Sequence, residues 1–157
     1  MENTQQDSKN VISPQLILLN QELTNQDEII QFIVQQAEKQ GYVSDEQALY
    51  QAVKKREQEV STAIGYSIAI PHGKTDAVSH PFIAFLRTTQ PMKWTDENEE
   101  LVRLVFLIGV PEKSEGKLHL KFISQLSKKL LDDAFRDRLL TEDNEQTIYE
   151  QLNSIEI

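Results

Sequence analysis

The chain has 157 residues, and its 16 Lys and Arg against 25 Asp and Glu give a formal net charge of −9. This balance argues against broad binding to nucleic acid, which needs a basic surface. The absence of cysteine excludes disulfides, thiolate catalysis and cysteine metal sites. The polar start lacks a secretory signal pattern, and the longest apolar runs fall far below the roughly 20 residues that cross a bilayer. We expect a cytoplasmic protein that is not itself transmembrane.

The first elements are marked by clear local signals. Residues 1–10 are polar and aperiodic, and we expect a flexible N-terminal tail there, followed by a single domain over 11–157. The apolar run 11–20 predicts a strand. A helix follows with Asn25 as its N-cap, and apolar residues at helical spacing continue until Gly41 ends it.

The next segment predicts a helix and then a short strand. Ser44 and Gln47 match a capping box, and the helix that they open should end near 56–59. Residues 66–71 predict a strand stopped by a proline, with a turn at His72–Gly73.

The second half alternates strands with helices. The run 81–87 predicts one strand, and 101–110 predicts another that is apolar enough to be covered on both faces. Three helices should follow, at 119–133, 133–140 and 144–153. This alternation favours an α/β three-layer sandwich.

The candidate chemistry lies in the histidines, since the chain has no phosphate-binding glycine loop, nucleophile elbow or H-E-x-x-H motif. His72 lies at the carboxyl end of an apolar strand, where sites form in open α/β sheets. Its preceding proline fixes the direction of the chain, and Gly73 allows a backbone or ligand to approach. The alternative is an exposed turn histidine without a role.

Two more residues have both a functional and a structural interpretation. His119 opens an amphipathic helix on its apolar stripe, where it is either a site residue or a core-edge histidine bonded to a backbone carbonyl. Arg56, near the end of the second helix, is either a phosphate ligand or a solvated cation. His80 is interpreted as a surface residue in a turn.

A histidine, an arginine and a second histidine would suffice for phosphoryl transfer without metal or nucleotide. Imidazole titrates near pH 6.5, so a neutral nucleophilic nitrogen is available at neutral pH. An arginine can bind phosphoryl oxygens in a fork and stabilise the charge of the transition state.

Residues 56–78 resemble the enzyme IIA domain of the bacterial sugar phosphotransferase system, in the fructose–mannitol superfamily. An arginine and a Gly-x-x-I-A-[IV]-P-H stretch carry the resemblance, here Arg56, Gly65, Ile68, Ala69, Ile70, Pro71 and His72. A second block, 101–133, is similar to the family's conserved block in which a histidine of an H-L pair begins a helix. The likeness spans 11–155, and "PHGKTDAV" is closer to the fructose branch. Tyr66 and Ser67 stand where many members have Asn-Gly.

The resemblance implies a role for each site residue. His72 would be the phosphorylated residue, Arg56 the phosphate-stabilising arginine and His119 the second active-site histidine. The implied partners are the carrier HPr, as phosphoryl donor, and the EIIB component of a membrane sugar permease, as acceptor. The implied fold is a mixed β-sheet flanked by helices on both faces, and no cofactor is implied.

Two alternatives to a sugar-uptake phosphocarrier remain open. The same fold could serve as a regulatory module that signals its phosphorylation state to a protein partner without transporting sugar. A metal-dependent hydrolase could use His72 and His119 with carboxylates, although no His pair at i, i+4 and no third ligand can be named.

Overall fold

The computed structural model describes residues 11–96, 100–113 and 117–155, so the expected tail at 1–10 lies outside the described residues. Six strands and five helices occur in this part of the chain. In chain order they are β1 (Ile12–Gln21), α1 (Gln26–Lys39), α2 (Glu46–Glu59), β2 (Ala63–Gly65), β3 (Ile68–Ala69), β4 (His72–Thr75), β5 (Phe82–Lys93), β6 (Leu101–Pro111), α3 (Leu118–Lys129), α4 (Asp133–Thr141) and α5 (Glu145–Asn153).

The strands form one mixed sheet in the order β1-β5-β6-β3-β2, with β4 also paired to β6. Strands β5 and β6 pair antiparallel, whereas β1 runs parallel to β5, and β3 and β4 run parallel to β6. The mixed sheet expected from the resemblance is therefore confirmed.

Helices cover both faces of this sheet, because its central strand is apolar on both sides. In β6, Val105 and Leu107 belong to the core under α1 and α2, whereas Phe106 and Ile108 belong to the core under α3, α4 and α5. This alternation follows from the period of two along a strand. The predicted three-layer sandwich is confirmed.

The capping signals in the sequence are correct for the first helix and wrong for the second. Asn25 caps α1 by accepting a hydrogen bond from the Glu28 amide, and Gly41 follows the helix with a φ of 85°. The predicted capping box at Ser44 is wrong, because Asp45 is the N-cap of α2. Ser44 lies before this cap, and its amide donates to the carbonyl of Ala77 at 2.8 Å.

The predicted turn at His72–Gly73 is also wrong, because His72 begins strand β4. Ala69 pairs with Val105 and His72 pairs with Ile108, so β3 and β4 keep one register along β6. Proline interrupts such a strand without ending it where its missing amide is not needed for pairing. The chain reverses earlier, at Tyr66 and Ser67, whose φ values are 56° and 65°.

Candidate functional site

The three side chains singled out from the sequence line one cleft of about 370 Å³. Arg56 comes from the last turn of α2, His72 from the start of β4 and His119 from the first turn of α3. The remaining lining residues are Ala52, Lys55, Glu59, Gly73, Lys74 and Val110. Residues that are far apart in the sequence therefore meet where α2, β4 and α3 approach one another.

The two histidine rings stack on each other. Their centroids lie 4.7 Å apart, and the ring planes are inclined by 24°. The stack forms because His72 pairs with Ile108 of β6, and the chain leaving β6 leads into the helix that carries His119. Nδ1 of His119 is buried without a hydrogen-bond partner among the described residues, so this atom does not make the carbonyl bond of the core-edge alternative.

A backbone carbonyl fixes the tautomer of His72. Nδ1 lies 3.0 Å from the carbonyl oxygen of Ile70. Because a carbonyl oxygen can only accept, Nδ1 carries the hydrogen and donates. When the ring is neutral, the lone pair is therefore on Nε2.

Both imidazoles are held neutral at pH 7. Burial, aided by the charge of Arg56, lowers the pKa of His72, and the bond to Ile70 and the charge of Glu57 oppose this only in part. Burial also lowers the pKa of His119, and His72, Arg56 and Lys74 lower it further. The rings can thus act as nucleophile and hydrogen-bond donor without first losing a proton.

Arg56 is half-buried and held at one end. Its Nη1 donates to the carbonyl of Val60 at 3.0 Å, which uses one of the five N–H donors of the guanidinium. This contact fixes one end of the guanidinium at the cleft. The other donors leave capacity for an anion in the cleft.

The cleft is locally basic on an acidic chain. Lys55 and Lys74 lie beside Arg56 in the lining, and Glu59 is the one acidic residue of that lining. This arrangement suits a small multiply charged anion such as a phosphoryl group. Within the described ranges, no group of three His, Asp or Glu side chains could hold a metal ion.

Sequence reasoning missed the two lysines. One available signal was the period of two in a strand, which places Lys74 on the same face as His72 once β4 is known to be extended. Lys55 lies one turn before Glu59 on α2. This i, i+4 spacing places the two side chains on the same face of the helix, which the sequence already indicates. His80, interpreted as a surface residue, is partly exposed and is not among the residues of the cleft.

A family model described as "Phosphoenolpyruvate-dependent sugar phosphotransferase system, EIIA 2" matches residues 10–155. The chain is 34% identical over 141 residues to the fructose-specific EIIA component of Haloferax volcanii, covering 90% of this chain and 91% of the relative. It is also 34% identical over 143 residues to the fructose-specific EIIABC component of Bacillus subtilis, covering 91% of this chain but only 22% of that larger protein.

Solved structures agree with these sequence relatives. The nitrogen regulatory protein IIA-Ntr of Neisseria meningitidis matches with a TM-score of 0.80 and 25% identity, covering 90% of this chain and 96% of that one. The enzyme IIA chain in the Escherichia coli complex of IIAMTL with phosphorylated IIBMTL matches with a TM-score of 0.76 and 27% identity, covering 90% and 96%.

The fold and the matches define the class as a phosphotransferase component. The chain belongs to the type-2 EIIA family of the phosphoenolpyruvate-dependent sugar phosphotransferase system. Both sequence relatives above are fructose-specific, in agreement with the predicted fructose-like branch. No helix in the described ranges is long and apolar enough to span a bilayer.

Proposed function

We propose that this chain is a cytoplasmic phosphocarrier that accepts a phosphoryl group from HPr on Nε2 of His72 and passes it to an EIIB component during sugar uptake. The observation that carries the proposal is the stack of the His72 and His119 imidazoles in one basic cleft that Arg56 also lines. The relative whose structure is a complex with phosphorylated IIBMTL supports an EIIB partner. We also propose that residues 11–157 form one domain and that fructose or a related sugar is transported.

The proposed transfer needs no group beyond these side chains. The lone pair on Nε2 of His72 attacks phosphorus, and the bond from phosphorus to the donor atom breaks with its electron pair on the donor. The ring becomes cationic as the new P–N bond forms, and the hydrogen bond from Nδ1 to the Ile70 carbonyl stabilises that charge. Arg56 binds the phosphoryl oxygens, and His119 lies where it can orient the group or donate to it.

A regulatory role is the second candidate. The observation that favours it is the structural match to the nitrogen regulatory protein IIA-Ntr. A pull-down that recovers a kinase or regulator but no EIIB partner would support this role, whereas phosphoryl transfer to a purified EIIB would support sugar uptake.

The phosphorylation assay tests the site directly. With phosphoenolpyruvate, enzyme I and HPr, the wild type should gain an acid-labile phosphate, His72→Ala should gain none, and His80→Ala should label normally. Arg56→Ala should slow labelling roughly 10- to 100-fold, because a charge-assisted contact of about 1.5–3 kcal/mol is lost. Full labelling of His72→Ala would refute the proposed site.

A further inference from the structure

A buried carboxylate next to Arg56, that of Glu57, takes no part in the proposed transfer step itself. Glu57 is 7% exposed, and burying a carboxylate is costly unless hydrogen bonds compensate. Its Oε2 accepts from the Thr62 amide at 2.8 Å and from the Trp94 indole N–H at 2.8 Å, and its Oε1 accepts from the Thr62 hydroxyl at 2.7 Å. All three donors are neutral, and Thr62 and Trp94 are themselves buried.

The first consequence of these hydrogen bonds concerns Arg56. Glu57 fixes Thr62 and thereby the short loop from the end of α2 to β2. The carbonyl of Val60 in this loop accepts the hydrogen bond from Nη1 of Arg56 at 3.0 Å. Because the Val60 side chain is 66% exposed, it does not anchor the loop by packing. The position of the guanidinium therefore depends on the bonds that Glu57 makes to Thr62.

The second consequence concerns the histidine. The carbonyl of Thr62 accepts from the Ile70 amide at 3.0 Å. The carbonyl of Ile70 in turn lies 3.0 Å from Nδ1 of His72 and sets its tautomer. The same threonine thus connects Glu57 to both reacting side chains.

We propose that Glu57 is a positioning residue that holds Arg56 and His72 in their relative places through its hydrogen bonds to Thr62 and Trp94. The assignment rests on the proposed function of the cleft. An apolar residue at this position could pack the helix, but it would leave the Thr62 amide and the Trp94 N–H buried without partners. Hydrogen bonds also fix direction, which apolar contacts do not.

Two variants separate hydrogen bonding from charge. In Glu57→Gln, the amide oxygen can accept from the Thr62 and Trp94 N–H groups while its NH₂ donates to the Thr62 hydroxyl, which can rotate to accept. We expect this variant to be phosphorylated near the wild-type rate. Glu57→Leu keeps the bulk but makes none of these bonds, and we expect its kcat for phosphorylation by HPr to fall about 10- to 100-fold with little change in KM.

The controls distinguish positioning from a general loss of stability. Asp143→Asn weakens the ion pair with buried Arg87, whose partners lie in and after α4, outside the residues of the cleft. With all assays run below the unfolding temperatures, this variant should be phosphorylated at the wild-type rate. If Glu57→Leu does not fold, Thr62→Val replaces it, since this change removes one of the three bonds and should give a several-fold loss.

A spectroscopic measurement tests the inference without phosphate. The ¹⁵N signal of Nδ1–H in His72 should shift in Glu57→Leu and stay close to wild type in Glu57→Gln. A wild-type rate and signal in folded Glu57→Leu would overturn the inference. An equal loss of phosphorylation rate in Glu57→Gln would also overturn it, because it would show that the charge of Glu57 matters rather than its hydrogen bonds. Neither result affects the proposed function, which fails only if wild-type His72 is not the labelled residue.

Discussion

At the scale of single residues, the paired imidazoles are the feature on which the chemistry depends. Burial lowers the pKa of both rings, so each is a neutral base in the folded protein at pH 7. In the unfolded chain both return to about 6.5. Just below that value the unfolded state therefore binds more protons than the folded state, and stability must fall with falling pH.

This linkage predicts a stability change in a defined pH window. The free energy of unfolding, measured by urea denaturation, should be flat near pH 7.5, begin to fall as the pH drops through about 6.5, and level off below the two lowered values. The carboxylates contribute separately, at lower pH. The double variant His72→Gln, His119→Gln should lose the histidine part of the slope. An unchanged slope in that variant would show that the pair is not its source.

At the scale of elements, the close approach of α2 to β4 brings Arg56 to His72. Gly73 makes that approach possible, because a Cβ there would lie 2.9 Å from Cγ2 of Val53 and 3.0 Å from its backbone nitrogen. The sequence suggested that this glycine leaves room for a backbone or a ligand. The structure shows that the backbone of α2 takes the space.

Replacement of this glycine should therefore disturb both stability and transfer. Gly73→Ala must push α2 away from β4, and we expect a loss of about 1–3 kcal/mol in the free energy of unfolding. Phosphorylation should slow as well, because Arg56 moves with its helix. Adding Val53→Ala removes the contact with Cγ2 and should restore part of the rate. A wild-type rate and stability in Gly73→Ala would show that the packing tolerates the methyl group.

At the scale of the whole molecule, a net charge of −9 surrounds a locally basic cleft. A partner that presents a positive rim would be attracted over long range to the acidic surface. A phosphoryl group that it carries would then meet Lys55, Arg56 and Lys74. In this arrangement the acidic surface attracts the partner, and the basic cleft binds the transferred phosphoryl group.

Salt should weaken the long-range attraction between the partner and the acidic surface. The association rate with HPr should fall as ionic strength rises above 0.1 M, where the screening length is about 10 Å. Unfolding curves at the same salt concentrations serve as the control for loss of structure. An association rate that does not change with salt would rule out this steering.

Local signals in the sequence determined much of the fold. The order of the five helices and of strands β1, β5 and β6, the N-cap at Asn25 and the doubly covered β6 followed from residue patterns of short range, whereas β2 and β4 did not. The resemblance added the mixed sheet and the candidate roles of Arg56, His72 and His119. Tyr66 and Ser67, the residues noted as departures from Asn-Gly, form the tight turn between β2 and β3, and the Arg136 guanidinium packs 4.7 Å from the centre of the Tyr66 ring.

Tertiary structure alone decided the remaining features, because they depend on partners distant in the chain. His72 is in a strand rather than a turn since β6 offers it backbone pairing, and Asp45 caps α2 since Ser44 is bound to Ala77. The stacked rings, the hydrogen on Nδ1 and the contacts of Glu57 likewise arise from residues that only folding brings together. Sequence patterns report neighbours along the chain, whereas a site of this kind is formed by neighbours in space.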